Sequence, residues 1–427
     1  MDKRGSVILL ALSLLLISCT GRPSGSSDRQ QPDRKVPELL ATVPSDALAV
    51  AHYDKCSEGI MLLDSTSILR ALDLSSVSGR KMALTLCYNG SLTPVISIET
   101  AADSRDSLNM ADLMSQAKAL KLQAAHFSAE EIGGRRGATV ITTSESQLSA
   151  IRRHVAGKTS IMDAQNFKAA LNASGSADSF IILKTAGADR YLPKDFLGGR
   201  FNRRELTAFM KTASEWITAV PQGKSMNIIP VHNGSDVYYA KAMEDMPTGD
   251  SKLDAILPAS TTFMLSMPVE TGGFRQAYER YIDANVKLEK YSSRLAALKK
   301  GSGKDPLKWE KELDVKEVAI VCWEGHEVII VRPSKAVRDK HVEENPYRGF
   351  ISALYGQAFS LVDDICTAQA FGCHIYGSEL DVNEFILCDE RMVNATPLLK
   401  AGHFLVYEPE RMTNWTKKGI KTWNSSL

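Results

Sequence analysis

The stretch Leu84-Thr85-Leu86-Cys87-Tyr88-Asn89-Gly90 decides the fold, because it joins an apolar β-like run to a tight turn. A second β-like run follows at residues 93–98. Asparagine followed by glycine between two such runs is a strong signal of a β-hairpin, whose strands are antiparallel. The chain also contains helical patterns, and helices combined with antiparallel strand pairs indicate an α+β fold rather than a doubly wound parallel sheet.

A related hairpin pattern recurs 235 residues later, as Ala319-Ile320-Val321-Cys322-Trp323-Glu324-Gly325 followed by a β-like run at 327–331. Three further matches occur in the same order along the chain, at offsets between 214 and 234 residues. They relate residues 43–50 to 257–265, 140–145 to 374–379, and 172–183 to 394–407. Matches that keep one order and nearly one spacing predict two tandem related α+β units, residues 37–248 and 249–427.

The second unit contains about 21 extra residues, because the offset rises from 214 to 235 between the first two matches. In residues 272–300, apolar side chains recur every three or four positions, which predicts one long amphipathic helix ended by Gly301-Ser302-Gly303. Most amphipathic helices bury their apolar stripe against their own core. The alternative is that the outer half of the helix presents Tyr291, Leu295 and Leu298 to a partner.

The first unit continues beyond its last match. Residues 205–219 predict a helix, and residues 226–231 and 237–242 predict a hairpin that turns at Asn233-Gly234. The second unit has no equivalent of that hairpin before Leu427. We therefore expect the second unit to be shortened at its C-terminal end.

The first nineteen residues have the pattern of a secretory signal. Lys3 and Arg4 precede an apolar run at residues 7–17, which is too short to span a membrane stably. The ending Leu16-Ile17-Ser18-Cys19 resembles a bacterial lipobox, which implies removal of residues 1–18 and attachment of lipids to Cys19 as a membrane anchor. An ordinary cleaved signal close to a cysteine is the alternative. Residues 19–36 are rich in Ser, Gly, Pro and charge and predict a disordered tether.

The composition of the 427 residues is that of a globular protein, with 44% hydrophobic and 24% charged residues. The formal net charge is +1, and loss of Asp2, Lys3 and Arg4 with the signal brings it to zero. Nothing in that balance favours nucleic acid as a partner.

No GxSxG, HExxH, Walker or Rossmann motif occurs in the sequence, and we predict no catalytic, cofactor-binding or metal-binding residue. Asp363-Asp364 could act as acid and base, although a polar turn also explains the pair. Cys366, Cys373, His374 and Cys388 lack the CxxC spacing of zinc sites. We expect the six cysteines after Cys19 to be buried small hydrophobes, although their even number permits disulfides in an exported protein. Structural roles are expected for the histidines in or beside β-like runs, which are His52, His326, His374 and His403.

Three features together resemble a Bacteroidales family of exported lipoproteins that carry a domain of unknown function. They are the lipobox, the openings Val43-Pro44-Ser45-Asp46 and Leu257-Pro258-Ala259-Ser260, and the segment Lys304-Asp305-Pro306-Leu307-Lys308-Trp309 before the strand at 315–319. The resemblance transfers no catalytic residue. It implies a lipid-anchored protein of the outer membrane, and the lack of an acidic cluster after Cys19 resembles the periplasm-facing members.

The sequence therefore predicts a membrane-tethered lipoprotein of the cell envelope that acts as a non-catalytic binding or scaffolding module. Its partners would be the membrane, through the lipid on Cys19, and an envelope protein. One alternative is a subunit of an envelope complex that a partner chain completes. The other is an envelope hydrolase whose site is assembled from residues distant in sequence.

Overall fold

A computed structural model describes residues 34–60, 67–100, 104–191, 211–222, 225–244, 251–269, 271–360, 362–391 and 405–407. The predicted signal sequence and Cys19, the predicted site of lipid attachment, lie outside these residues. The chain forms two compact units: of the described residues, 34–191 and 215–226 belong to the first, and 211–214 and 227–407 belong to the second. The boundary between residues 248 and 249 that the sequence suggests stays a prediction.

The first sheet has eight strands in the order β4-β5-β3-β2-β1-β6-β7-β8. Their bounds are β1 Ala49–Tyr53, β2 Met82–Tyr88, β3 Leu92–Thr100, β4 Gln123–Phe127, β5 Gly137–Thr142, β6 Phe180–Lys184, β7 Trp216–Gln222 and β8 Ser225–Val231.

The second sheet has seven strands in the order β12-β13-β14-β11-β10-β9-β15. Their bounds are β9 Thr261–Pro268, β10 Val315–Trp323, β11 His326–Pro333, β12 Lys340–Glu344, β13 Cys366–Ala370, β14 Cys373–Gly377 and β15 Leu405–Tyr407.

The two hairpins of the repeated pattern are present. Strands β2 and β3 pair antiparallel around Asn89-Gly90, where Gly90 has a φ of +75°. Strands β10 and β11 pair antiparallel around Glu324-Gly325, both at positive φ, as the tight turn requires. Every strand register described is antiparallel, and helices accompany both sheets, so the α+β prediction is confirmed.

The two sheets share one strand order. Strands β4-β5-β3-β2-β1-β6 of the first sheet correspond in sequence order and position to β13-β14-β11-β10-β9-β15 of the second, which adds β12 at its edge. Cys87 and Cys322 each occupy the next-to-last position of the first hairpin strand. Ser144 and Ser378, which follow β5 and β14, each cap a helix by accepting a main-chain N–H with the side chain.

The described helices flank these strands. Their bounds are α1 Cys56–Gly59, α2 Ser104–Ala119, α3 Ala129–Ile132, α4 Glu145–Ala156, α5 Phe167–Ala173, α6 Ala188–Tyr191, α7 Tyr239–Glu244, α8 Thr271–Ala284, α9 Leu288–Ser302, α10 Pro306–Leu313, α11 Phe350–Tyr355 and α12 Glu379–Leu387. None of the helices in the described residues is long and apolar enough to cross a bilayer.

The prediction of one long helix at residues 272–300 is wrong, because two helices, α8 and α9, occupy this region. The Asn285 side chain donates to the main-chain oxygen of Tyr281 at 2.8 Å, which satisfies a carbonyl at the end of α8. Val286 then adopts the left-handed conformation with a φ of +54°, and this turns the chain out of the helix. The predicted stop is confirmed, since Gly303 ends α9 at a φ of +73°.

Two predictions for the end of the first unit are also wrong in part. Of the helix predicted at 205–219, residues 205–210 lie outside the described residues, residues 211–213 are helical, and residues 216–219 belong to β7 because they pair with β6. Residues 239–242 belong to α7 rather than to a hairpin strand, and β8 lies next to β7 instead. Packing with tertiary neighbours has overridden local propensity in both cases.

The second sheet is covered on both faces. One face carries Ile320 and Ile329 and packs against an aromatic cluster from helices α7 to α11. The other carries Val321 and Val328 and packs against α12, chiefly through Phe385.

Candidate functional site

A cavity of about 560 Å³ lies in the first unit next to β1. Its walls come from residues 34–39, from positions on or beside β1, β2 and β3, and from the loop that precedes β6. Three basic and three acidic residues line it, Arg34, Lys35, Lys81, Glu38, Glu99 and Asp178, together with His52 and Asn172. The charges of the lining are therefore balanced, and apolar residues such as Val36, Pro37 and Leu39 lie between them.

His52 is a buried polar side chain of this cavity, with 2% of its surface exposed. Its ring stacks on that of Phe180, with centroids 5.3 Å apart, because the two residues are direct neighbours across β1 and β6. The Nδ1 atom lies 2.7 Å from the main-chain oxygen of Asp178. A carbonyl oxygen can only accept, so this contact assigns the hydrogen to Nδ1 and leaves a lone pair on Nε2.

Nε2 of His52 is buried and has no hydrogen-bond partner among the described residues. A buried polar atom without a partner is uncommon and destabilises a protein by about 1–3 kcal/mol. Burial lowers the pKa of His52, and the charges of Lys81 and Arg34 lower it further, against the raising effect of the bond to Asp178. The imidazole is thus neutral at pH 7, and a ligand that donates a hydrogen bond to Nε2 would satisfy it.

Arg34 closes one side of the cavity. Its guanidinium lies 4.7 Å from the centre of the Phe180 ring. It donates to the main-chain oxygen of Gly175 at 3.0 Å, to that of Ala177, and to the Ser174 hydroxyl. The sequence predicted a disordered tether as far as residue 36, so ordered contacts begin earlier than expected.

Neighbouring residues form ion pairs or hydrogen bonds with three of the other charged side chains that line the cavity. Lys81 Nζ lies 3.4 Å from Asp54 Oδ1, and Glu99 Oε2 lies 3.2 Å from the Arg136 guanidinium. Glu38 accepts the main-chain N–H of Arg136 at 3.1 Å. These contacts orient the charged groups before any ligand arrives, and such preorganisation reduces the entropy lost on binding.

The arrangement suits binding better than nucleophilic catalysis. In a Ser-His-Asp site, a carboxylate orients Nδ1 and the nucleophile bonds to Nε2. In this protein the hydrogen-bond partner of His52 Nδ1 is a main-chain oxygen, and among the described residues no hydroxyl or thiol forms a hydrogen bond with His52 Nε2. A ligand hydroxyl could donate to Nε2, while a neighbouring carboxylate of the ligand could accept from Arg34 or Lys81.

A second grouping, in the second unit, resembles catalytic residues but has another role. His326 Nδ1 lies 2.8 Å from Asp381 Oδ1, and the Ser378 hydroxyl donates to the other oxygen of Asp381 at 2.6 Å. The serine therefore bonds to the aspartate rather than to the histidine, which cannot activate it as a nucleophile. Ser378 also accepts the N–H of Asp381 as the N-cap of α12, so the group stabilises a helix end.

Asp363 and Asp364 bond to different partners. Asp364 accepts the N–H of Gly349 at 2.7 Å, and Asp363 lies 3.5 Å from the Arg348 guanidinium. Burial raises the pKa of Asp364. These separate contacts are those of a polar turn, and they do not bring the two carboxylates to one reacting group.

No disulfide joins the six cysteines in the described residues. Four are buried, Cys56, Cys87, Cys322 and Cys373, and this confirms the expectation for them. Burial raises the pKa of Cys56 and Cys87 to about 12, which makes both thiols unreactive at neutral pH. In the part of the chain that the structure describes, no three His, Cys, Asp or Glu side chains are grouped to hold a metal ion.

The side chains predicted to contact a partner lie on α9. Tyr291 is buried, and its hydroxyl accepts a hydrogen bond from Arg275 at 3.0 Å. Leu295 and Leu298 are partly buried and pack against the aromatic cluster of the second unit. The stripe thus contributes to the unit's own core, while a partner contact of the exposed parts of the two leucines stays a prediction.

Sequence reasoning missed the main residues of the cavity. It assigned His52 a structural role and placed Arg34 in the tether, and it did not single out Lys81. Asp178 lies 126 positions from His52 in the chain, so no motif spacing could reveal their contact. The sole local signal is a histidine in an otherwise apolar strand. No family model, curated protein or solved structure matches the chain.

Proposed function

We propose that this protein is a lipid-anchored component of the cell envelope that binds a small, hydroxylated, anionic ligand in the His52 cavity without converting it. The buried, unpartnered Nε2 of His52 carries the proposal, because a ligand hydroxyl would satisfy it. Arg34 and Lys81 would bind the anionic group of the ligand, and Glu99 and Asp178 would accept from further hydroxyls.

The proposed anchor is the lipid on Cys19, and the proposed location is the periplasmic face of the outer membrane. A flexible tether of residues 19–33 would span roughly 20 Å, from about 5–6 Å multiplied by the square root of its length. Since Arg34 both ends this tether and lines the cavity, the binding site would lie close to the membrane surface.

We also propose that the two units arose by duplication. The shared strand order supports this, as do the equivalent positions of Cys87 and Cys322 and the equivalent helix caps at Ser144 and Ser378. The cavity would then be a property of the first unit, acquired or retained after the copies diverged.

Calorimetric titration of the full lipidated chain in detergent micelles tests the proposed binding. The probes are glucuronate, which has hydroxyls and a carboxylate, glucose, which has hydroxyls alone, and acetate, which has a carboxylate alone. We expect glucuronate to bind most tightly and to be recovered unchanged. His52→Phe should keep the ring stack, remove the acceptor and weaken binding about tenfold, the equivalent of one hydrogen bond of ~1.4 kcal/mol.

His374→Phe is the matched control, since His374 also has a buried Nε2 without a partner among the described residues but lies outside the cavity. Equal binding of glucuronate by the native chain and by His52→Phe would refute the assignment of the site. Failure of all three probes to bind would refute the ligand class. Conversion of glucuronate to another compound would refute the proposal that the ligand is bound without being converted.

A further inference from the structure

Strand β4, residues Gln123–Phe127, forms one edge of the first sheet. An edge strand presents N–H and C=O groups without strand partners, and natural proteins usually protect such edges with charge, proline or a covering element. The edge strand β12 of the second sheet follows this rule, with the sequence Lys-His-Val-Glu-Glu. The sequence of β4 is Gln-Ala-Ala-His-Phe, which contains no Lys, Arg, Asp, Glu or Pro.

Among the described residues no further strand pairs with this edge, and a groove of about 750 Å³ runs along it, lined by all four residues 124–127. Successive residues of a strand point to opposite faces of the sheet. A groove that contacts four successive residues must therefore follow the edge of β4 rather than lie over one face. Its volume is within the range of ligand sites in proteins, about 300–1,000 Å³.

Helices border the groove. Met114 of α2 contributes to its wall, as do Arg152, Val155 and Ala156 of α4. The floor is uncharged, and charged side chains frame it. Lys158 is one of these, and its Nζ donates to the main-chain oxygens of Glu130 and Glu131, at 3.0 and 2.6 Å, which holds it at the end of α3.

We propose that the β4 groove is a docking site for one extended peptide segment of another protein, which adds to the sheet as a further antiparallel strand. Main-chain hydrogen bonds to β4 would supply affinity, and the small side chains of Ala124 and Ala125 leave room for the side chains of the peptide. At about 3.4 Å per residue, the five residues of β4 match a peptide of similar length.

A single strand fits this groove better than a second copy of the protein. Pairing of β4 with β4 of another copy would bring a second α2 and a second α4 to the same edge, where the first copy already has both helices. An isolated extended segment carries no such neighbours. The site is separate from the His52 cavity, so the proposal does not depend on the ligand proposed for that cavity.

Fluorescence anisotropy of the full chain with a labelled peptide tests the proposal. The probe is Thr-Val-Thr-Val-Thr-Val-Thr, an extended β-former, and its matched control is the same peptide with alternate main-chain nitrogens methylated. We expect saturable binding of the first peptide and at least tenfold weaker binding of the second, because methylation removes the donors that a ladder needs. Hydrogen exchange should show slower exchange of the β4 amides when the first peptide is bound.

Ala124→Lys places a charge in the groove and should weaken binding at least tenfold. Ala111→Lys makes the same change on the exposed surface of α2, outside the groove, and should leave binding unchanged. Four outcomes would overturn the proposal: no binding of the first peptide, equal binding of the methylated peptide, unchanged exchange at β4, or no effect of Ala124→Lys. Dimerisation of the chain that Ala124→Lys abolishes would assign the edge to a second copy and would also overturn it.

Discussion

Replacement of Arg275 by methionine should destabilise the second unit more than any surface substitution. Arg275, on α8, donates from Nε and Nη2 to the two carboxylate oxygens of Glu310, at 3.1 and 2.6 Å. The arginine side chain is 12% exposed and the glutamate 2%. Two further bonds reach the Tyr291 hydroxyl at 3.0 Å and the main-chain oxygen of Leu354 at 2.9 Å.

The expected loss of stability follows from the buried Glu310 carboxylate that Arg275→Met would leave unpaired. Removal of one partner of a buried ion pair costs about 3–5 kcal/mol, because the other charge stays buried and unpaired. The two additional bonds contribute about 1 kcal/mol each, and methionine recovers part of the packing. We expect a loss of about 4–5 kcal/mol, a large part of the ~5–15 kcal/mol that stabilises an ordinary domain.

Urea unfolding followed by circular dichroism measures this loss. Arg280→Met is the matched control on the same helix, because Arg280 lies 3.8 Å from Asp236 and the two side chains are 51% and 43% exposed. An exposed pair of this kind contributes at most about 1 kcal/mol. The double variant Arg275→Met with Glu310→Leu should recover most of the loss, since it removes both charges together. Equal effects of Arg275→Met and Arg280→Met, or no recovery in the double variant, would refute the reasoning.

Three further predictions concern backbone strain, pH and the anchor. Val286→Gly should raise the free energy of unfolding by about 1 kcal/mol, measured in urea, because Val286 is 94% exposed at a φ of +54° and valine is strained there. Burial lowers the pKa of His52, His232 and His374, so the unfolded chain binds more protons below about pH 6.5. The contribution of these histidines to the free energy of unfolding should be complete above that pH and should fall as the pH decreases below it. His52→Phe should therefore flatten the dependence of Tm on pH, and an unchanged dependence would contradict this prediction. Cys19→Ala should move the protein from the membrane to the soluble envelope fraction, and unchanged fractionation with no lipid on the mature N-terminus argues against the anchor.

Short stretches of sequence predicted the parts of the fold whose conformation depends on residues adjacent in the chain. Asn89-Gly90 specifies a tight turn by its own backbone preferences, and Gly325 adopts positive φ freely between two apolar runs, so the two hairpins could be recognised from short stretches. Gly303 likewise ends α9 where the sequence placed a helix stop. Such features need no knowledge of the tertiary structure.

The errors arose where distant contacts decide the conformation. Residues 216–219 form a strand because β6 offers them a partner, with Lys184 opposite Trp216. Tyr239 begins a helix because its ring packs into the aromatic cluster, 6.4 Å from that of Phe274. The cavity depends on long-range contacts to a greater degree still, since its walls come from five separated segments of the chain, at residues 34–39, 52, 81, 99 and 172–178. Contacts between residues so far apart in the chain cannot be recognised from a hydrophobic period or from the spacing of a motif.

The strand registers identify the residue of the second unit that corresponds to His52. When the hairpins are matched through their cysteines, Ala83 of β2 corresponds to Val318 of β10. Ala83 pairs with His52 on β1, and Val318 pairs with Met267 on β9. Met267 therefore holds in the second sheet the place that His52 holds in the first.

These corresponding faces differ in chemistry. The first face buries polar side chains, which are His52, Thr85, Thr93, Ser97 and Thr142. On the second face Met267 is fully buried, 3.3 Å from the Tyr239 hydroxyl, and belongs to the cluster that α8 and α9 complete. Aromatic helices could not cover the polar face without leaving buried groups unpaired, which is energetically unfavourable. The polar face of the first sheet and the apolar face of the second thus require different covering elements, and the proposed ligand site belongs to the unit whose face is polar.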